Sequence, residues 1–136
     1  MPSGYSGTPL IKKLGIKPGN SVLFVNEPDH YLELLGTLPD DVTIVKDGSI
    51  KAIDFIHLFA KDEKTLHNAF PPLKSKLDKN GMIWISWIKK SSKLETDINE
   101  NDVRDLGLQI GLVDIKICAV DEDWSGLKFV YRKEDR

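Results

Sequence analysis

Three short runs of the chain are apolar on both sides of an extended backbone: Val22-Leu23-Phe24-Val25, Ile53 to Ala60, and Met82 to Ile88. Each is shorter than an ordinary helix, and none alternates apolar with polar residues as a strand with one wet face would. Such strands must be covered on both faces, which is the condition of strands inside a parallel sheet. The intervening segments have helical spacing instead. Asp29 to Leu35 brings in Tyr31, Leu32, Leu34 and Leu35, and the segment opened by Lys61-Asp62-Glu63 sets Leu66, Ala69, Phe70, Leu73 and Leu77 on one side. Strands alternating with helices predict an α/β domain, a mostly parallel sheet between two helical layers joined by right-handed crossovers.

The remaining elements follow from local chemistry. Thr8-Pro9, then Leu10, Ile11, Leu14 and Gly15, predict a short capped helix, and Val42-Thr43-Ile44-Val45 a second interior strand. Pro71-Pro72 is expected to divide the helix that starts near Asp62 into two short ones. Asn99 is placed to cap a further helix, Ile98 and Val103 have hydrophobic-staple spacing, and Gly111 ends it. Strands Leu112–Val120 and Leu127–Arg132 are separated only by residues 121–126, too few for a parallel return, so they pair antiparallel.

At 136 residues, one domain spanning 1–136 is expected, with residues 1–20 a segment and short helix packed on it. Nineteen basic and 21 acidic residues give a formal charge of −2, which leaves nucleic acid without an electrostatic attraction. No apolar stretch approaches the roughly 20 residues of a membrane span and no secretory leader is evident, so a cytoplasmic protein is expected with no membrane partner. The single cysteine, Cys118, precludes an internal disulfide, and three scattered histidines assemble no metal set.

Leu14-Gly15-Ile16-Lys17-Pro18-Gly19-Asn20-Ser21-Val22-Leu23-Phe24-Val25 resembles the entry to the first strand of class I S-adenosylmethionine (SAM)-dependent methyltransferases, and Lys79-Asn80-Gly81 resembles the approach to a later strand of that superfamily. The resemblance implies a three-layer, Rossmann-like sheet of about six strands in the order 2-1-3-4-6-5, with an antiparallel C-terminal hairpin. It also implies a trimmed version, since an extra strand and helix usually lie between the second and third strands. One departure is basic: the superfamily's glycine-rich turn is replaced by Asn26-Glu27-Pro28-Asp29-His30. Gly4-Tyr5-Ser6-Gly7-Thr8-Pro9-Leu10, Ser86-Trp87-Ile88-Lys89 and Trp124-Ser125-Gly126-Leu127-Lys128-Phe129-Val130 further resemble an uncharacterised family of small bacterial proteins, which implies no particular activity.

In open α/β sheets a ligand sits beyond the carboxyl ends of the strands, where strand order reverses. The residues expected there are Asn26, Glu27, Asp29, Trp87, Lys89, Trp124 and Ser125. Lys89 would pair with an anionic group, Trp124 would stack, Ser125 would donate a hydrogen bond, and Glu27 or Asp29 would hold a hydroxyl or amine; none is assigned a catalytic role. This mixture suits a small anionic or aromatic metabolite. No cofactor is expected: SAM is disfavoured, because Pro28 removes an N–H where the cofactor needs one. Three readings remain open: a non-catalytic small-molecule-binding domain; a divergent methyltransferase in which Asp47 would hold the ribose; and a protein-interaction or homodimerisation module. His57 is expected to be a satisfied core imidazole and Trp84 and Trp87 to face opposite ways on their strand. Gly4 to Gly7 could form a small anion nest, although Tyr5 pinning the segment across the sheet is favoured.

Overall fold

The computed structural model describes residues 8–46 and 51–136, so Tyr5 with its flanking glycines, and Asp47, lie outside the described residues. The elements run α1 (Leu10–Leu14), β1 (Ser21–Val25), α2 (Tyr31–Leu35), β2 (Thr43–Ile44), β3 (Ile53–Phe59), α3 (Glu63–Lys74), β4 (Leu77–Ile88), α4 (Glu100–Gln109), β5 (Leu112–Ala119) and β6 (Trp124–Tyr131), with a closing turn of 3₁₀ helix at Lys133–Asp135. The six strands lie in the order β2-β1-β3-β4-β6-β5. β2, β1, β3 and β4 are mutually parallel, and β6 runs antiparallel to β4 on one side and to β5 on the other. This is the Rossmann-like, methyltransferase-like arrangement expected from the sequence.

Two cores sandwich the sheet. On one face α3 and α4 contribute Leu66, Phe70, Leu73, Val103 and Leu106 against Ile56, Leu58, Ile83, Ile85, Trp87 and Leu127. On the other, α1 and α2 contribute Leu14, Tyr31 and Leu35 against Phe55, Phe59, Trp84, Ile88 and Trp124. Trp84 and Trp87 thus serve opposite faces of β4, as their spacing requires. Burying both faces of β3 explains its unbroken apolar run: Phe55, Ile56 and Leu58 are entirely shielded from solvent. The Trp84 indole N–H donates to the Leu14 carbonyl at 2.8 Å, which fixes α1 to the sheet and satisfies a donor that burial would otherwise orphan.

Three local expectations need correction. Pro71 and Pro72 do not divide α3, which runs unbroken from Glu63 to Lys74. The prolines deprive the carbonyls of His67 and Asn68 of their helical donors, but both residues are exposed and water can serve them, while buried Phe70 and Leu73 hold the last turn to the core. β2 is not interior: it is a two-residue edge strand whose Thr43 and Ile44 are exposed, with only the following Val45 buried. β4 begins before the Lys79-Asn80-Gly81 turn, which is accommodated as an irregularity between the pairs Ile53–Leu77 and Phe55–Met82. The capping prediction for α4 holds in full. Asn99 and Asp102 form a reciprocal capping box, and Ile98 and Val103 meet in the core. No helix among the described residues is long and apolar enough to cross a membrane.

Gly107 lets α4 lie directly on β6. A Cβ at that position would fall 2.1 Å from the Phe129 ring, and Phe129 is itself wedged against Phe70 at a centroid distance of 5.3 Å. Gly107→Ala is therefore expected to destabilise the fold by about 1–3 kcal/mol through overpacking. Phe129→Leu in the same chain should recover part of that loss, as read from urea unfolding midpoints.

Candidate functional site

The carboxyl ends of β1, β3 and β4 open onto one edge of the sheet, together with the start of β6. β1 leaves this edge through Asn26, whose φ of 59° is left-handed. Asparagine is the side chain that best tolerates this conformation, so the chain makes a sharp turn after β1 without glycine. Pro28 follows, and its carbonyl accepts the Tyr31 N–H at 3.0 Å as α2 begins. The loop is tied across the edge by His30, whose Nε2 lies 2.8 Å from Asp121 Oδ2 in the β5–β6 turn. Asp121 also accepts the N–H groups of Asp123 and Trp124, at 2.8 and 2.9 Å, and so holds the turn in shape.

Three clefts lie side by side along this edge. The first, about 470 Å³, is bordered by Asn26, Glu27, Phe59, Lys61, Asp62 and Trp124. The second, about 760 Å³, shares Lys61 and Asp62 with it and adds Lys89, Lys90, Thr96 and Asp97. The third, about 370 Å³, shares Lys89, Lys90 and Thr96 with the second and reaches Trp87, Asn99 and Ser125. The two smaller clefts and the larger one are each of a size that takes a small metabolite.

The candidate residues are divided between these clefts. In the β4–β6 pairing Trp87 stands opposite Ser125, and Ile88 opposite Trp124. Cross-strand partners share a face, so Trp87 and Ser125 look toward α3 and α4, and Trp124 toward α1 and α2. Asn26, Glu27 and Trp124 accordingly border the first cleft, while Trp87, Lys89 and Ser125 border the third. Asp29 is exposed in its loop and borders none of the three. Trp87 and Trp124 are each only 5% exposed, so packing occupies most of both rings. Trp124 stands edge-on to Phe59 at 5.0 Å.

Behind the first cleft lies a buried polar chain whose full membership the sequence reading did not identify. Tyr31 Oη is 2.6 Å from His57 Nδ1, and His57 Nε2 is 2.7 Å from Ser86 Oγ. His57 and Ser86 are wholly buried, and the imidazole stacks on Phe59 at 4.2 Å. Burial holds the His57 pKa down at about 3 and pushes the Tyr31 phenol well up, with the nearby Glu27 and Cys118 adding to the latter. Both groups are therefore neutral near pH 7, and the chain joins α2, β3 and β4 without buried charge. The signal for it was present: His57 and Ser86 are polar residues flanked directly by apolar ones on neighbouring strands. His67 is exposed on α3. Among those residues, no group of three or more His, Cys, Asp or Glu side chains is placed to hold a metal ion.

The fold is shared with solved methyltransferases. The chain superposes on magnesium protoporphyrin IX methyltransferase from Synechocystis PCC 6803, a structure with bound SAH, with a TM-score of 0.60 and 12% identity over 90% of this chain and 78% of that one. A TehB-like SAM-dependent methyltransferase from Corynebacterium glutamicum gives 0.57 and 12% over 90% and 85%. A SAM-dependent methyltransferase from Aquifex aeolicus gives 0.52 and 18% over 88% and 86%. No protein-family model matches the chain, and no curated protein matches it in sequence.

Two outcomes follow. Asn26→Ala should cost about 1 kcal/mol of stability from left-handed strain, whereas Asn26→Gly should cost none, by chemical denaturation. The depressed His57 pKa means that the unfolded chain binds a proton the folded chain refuses between pH 6.5 and about 3. Its contribution to stability is thus complete above pH 6.5 and falls with acidification through that window, by up to about 1.4 kcal/mol per pH unit. Melting curves should show the decline from pH 7 to 5, and His57→Gln should flatten it.

Proposed function

We propose that this chain is a small-molecule-binding domain on a methyltransferase-like scaffold and does not itself transfer a methyl group. The observation that carries this reading is the turn after β1. Where the superfamily brings bare glycine backbone against its cofactor, this chain places Asn26 and Glu27 at the border of a cleft and follows them with Pro28, which has no N–H to donate. The carboxyl edge still offers concave, mixed-polarity ground to a ligand. Here Glu27 would hold a hydroxyl or amine from one side, and Lys89 and Ser125 would hold an acceptor from the other. A cytoplasmic setting is part of the same proposal.

A divergent SAM-dependent methyltransferase is the second reading, favoured by the shared fold and by the left-handed Asn26, which supplies the backbone conformation usually left to glycine. Calorimetric and thermal-shift titration with SAM and SAH separates the two. The first reading expects no stabilisation at millimolar ligand, whereas a ligand at 100 times its dissociation constant would add about 2.7 kcal/mol and establish the second. The first also expects that a metabolite screen followed by amide NMR will move the signals of Asn26, Lys89 and Ser125. A wide screen that leaves all three still counts against it.

A further inference from the structure

The middle and third clefts offer a ligand donors and acceptors unequally, because three of their four carboxylates, Asp62, Asp97 and Glu100, already have partners. Asp62 Oδ1 accepts the Thr65 N–H at 2.7 Å, and Asp97 Oδ1 accepts the Glu63 N–H at 2.7 Å, so both acids are turned into the first turn of α3. Hydrogen bonds from Thr65, its side chain first and then its backbone N–H, hold the Asp62 carboxyl below its ordinary pKa. Asp123, in the adjoining turn, accepts the Ser92 hydroxyl at 2.8 Å, and Glu100, beside the third cleft, is paired with Arg104. Of the carboxylates bordering the middle cleft, Glu95 alone has no hydrogen bond of its own among the described residues, and it is exposed.

The cations are in the opposite condition. The ion pairs among the described residues are His30–Asp121, Arg104–Glu100 and Arg104–Asp114. None uses Lys61, Lys89 or Lys90, which border the middle cleft together, the latter two continuing into the third. The lysine loop is also held in place from below: Lys89 N donates to the Asp123 carbonyl at 2.8 Å, and Ser92 N to the Lys89 carbonyl at 3.0 Å. The three lysines and three carboxylates bordering the middle cleft cancel in formal charge, so net charge is not what selects. What distinguishes the cleft is placement: three ammonium groups have no acceptor among the described residues, while Asp62 and Asp97 each have one carboxylate oxygen drawn into the first turn of α3.

Resting on the reading that this edge binds a small molecule, we infer that its ligand bears a phosphate or polyphosphate group held by Lys61, Lys89 and Lys90 in the middle cleft. Lysine ammonium groups suit such a group as flexible point charges, and each charge-assisted contact strengthens as the acceptor's charge rises.

The test is an amide NMR titration of the full chain with pyrophosphate, run beside adenosine, which is uncharged at neutral pH. Pyrophosphate should shift Lys61, Lys89, Lys90 and Thr96, bind more weakly as potassium chloride is raised, and lose about tenfold or more in affinity in Lys89→Gln/Lys90→Gln. Lys12→Gln on α1 should leave it unchanged. Equal affinity in the double variant, or shifts spread over lysines throughout the surface, overturns the inference. Adenosine shifting this edge while pyrophosphate does not overturns it alone and leaves the proposed function standing. Silence from both at millimolar concentration counts against the two together.

Discussion

Covering both faces of β3 and β4 is the requirement from which the remainder of this fold follows. These strands lie at the centre of the sheet, with β1 and β6 outside them, and every side chain from Phe55 to Phe59 and from Ile83 to Ile88 is shielded from water. A strand with two dry faces needs a helical layer on each, which forces connections to cross over and makes the pairing parallel wherever a helix intervenes. Only β6 escapes, because the four residues between it and β5 cannot form a crossover, and it pairs antiparallel to both β5 and β4.

Such burial leaves little tolerance for polar atoms, and the two strands meet this limit with one connected set. His57 and Ser86, on adjacent strands, share a proton-bearing chain with Tyr31 from α2. Each would be costly if buried alone, and together they are satisfied while remaining neutral. The chain also gives α2, only five residues long, a directional attachment to the sheet that apolar packing by itself does not supply. At the outer edge the problem is reversed. β5 exposes Ile115 and Ile117, yet a bulge between Asp114 and Lys116 and the lysine itself interrupt the regular strand edge that another copy would need for pairing.

The same architecture divides the carboxyl edge. Side chains alternate across β4 and β6, so Trp87 with Ser125 and Trp124 with Ile88 are delivered to opposite sides of the sheet. A ligand site on this scaffold is therefore distributed along the edge rather than concentrated between the two indoles. The His30–Asp121 contact spans one part of that edge, and the lysine-bearing loop borders another.

The sequence by itself determined the layer architecture, the strand order through its likeness to the methyltransferase superfamily, the Asn99 cap of α4 and the opposed tryptophans. Each of these depends on periodicity or on chemistry a few residues apart, which is local information. It also showed that glycine is missing after β1, although not that Asn26 would take up the left-handed turn. Tertiary structure alone decided the fate of α3, where buried Phe70 and Leu73 outweigh two prolines, and the position of β2, whose apolar letters fall at an exposed edge. It alone joined Tyr31, His57 and Ser86 across 55 positions of chain, and it alone turned Asp62 and Asp97 toward α3 while leaving Lys61, Lys89 and Lys90 without acceptors among the described residues. Those outcomes depend on which strand lies beside which and on the face each residue presents, and a contact between distant segments leaves no spacing in the sequence to reveal it.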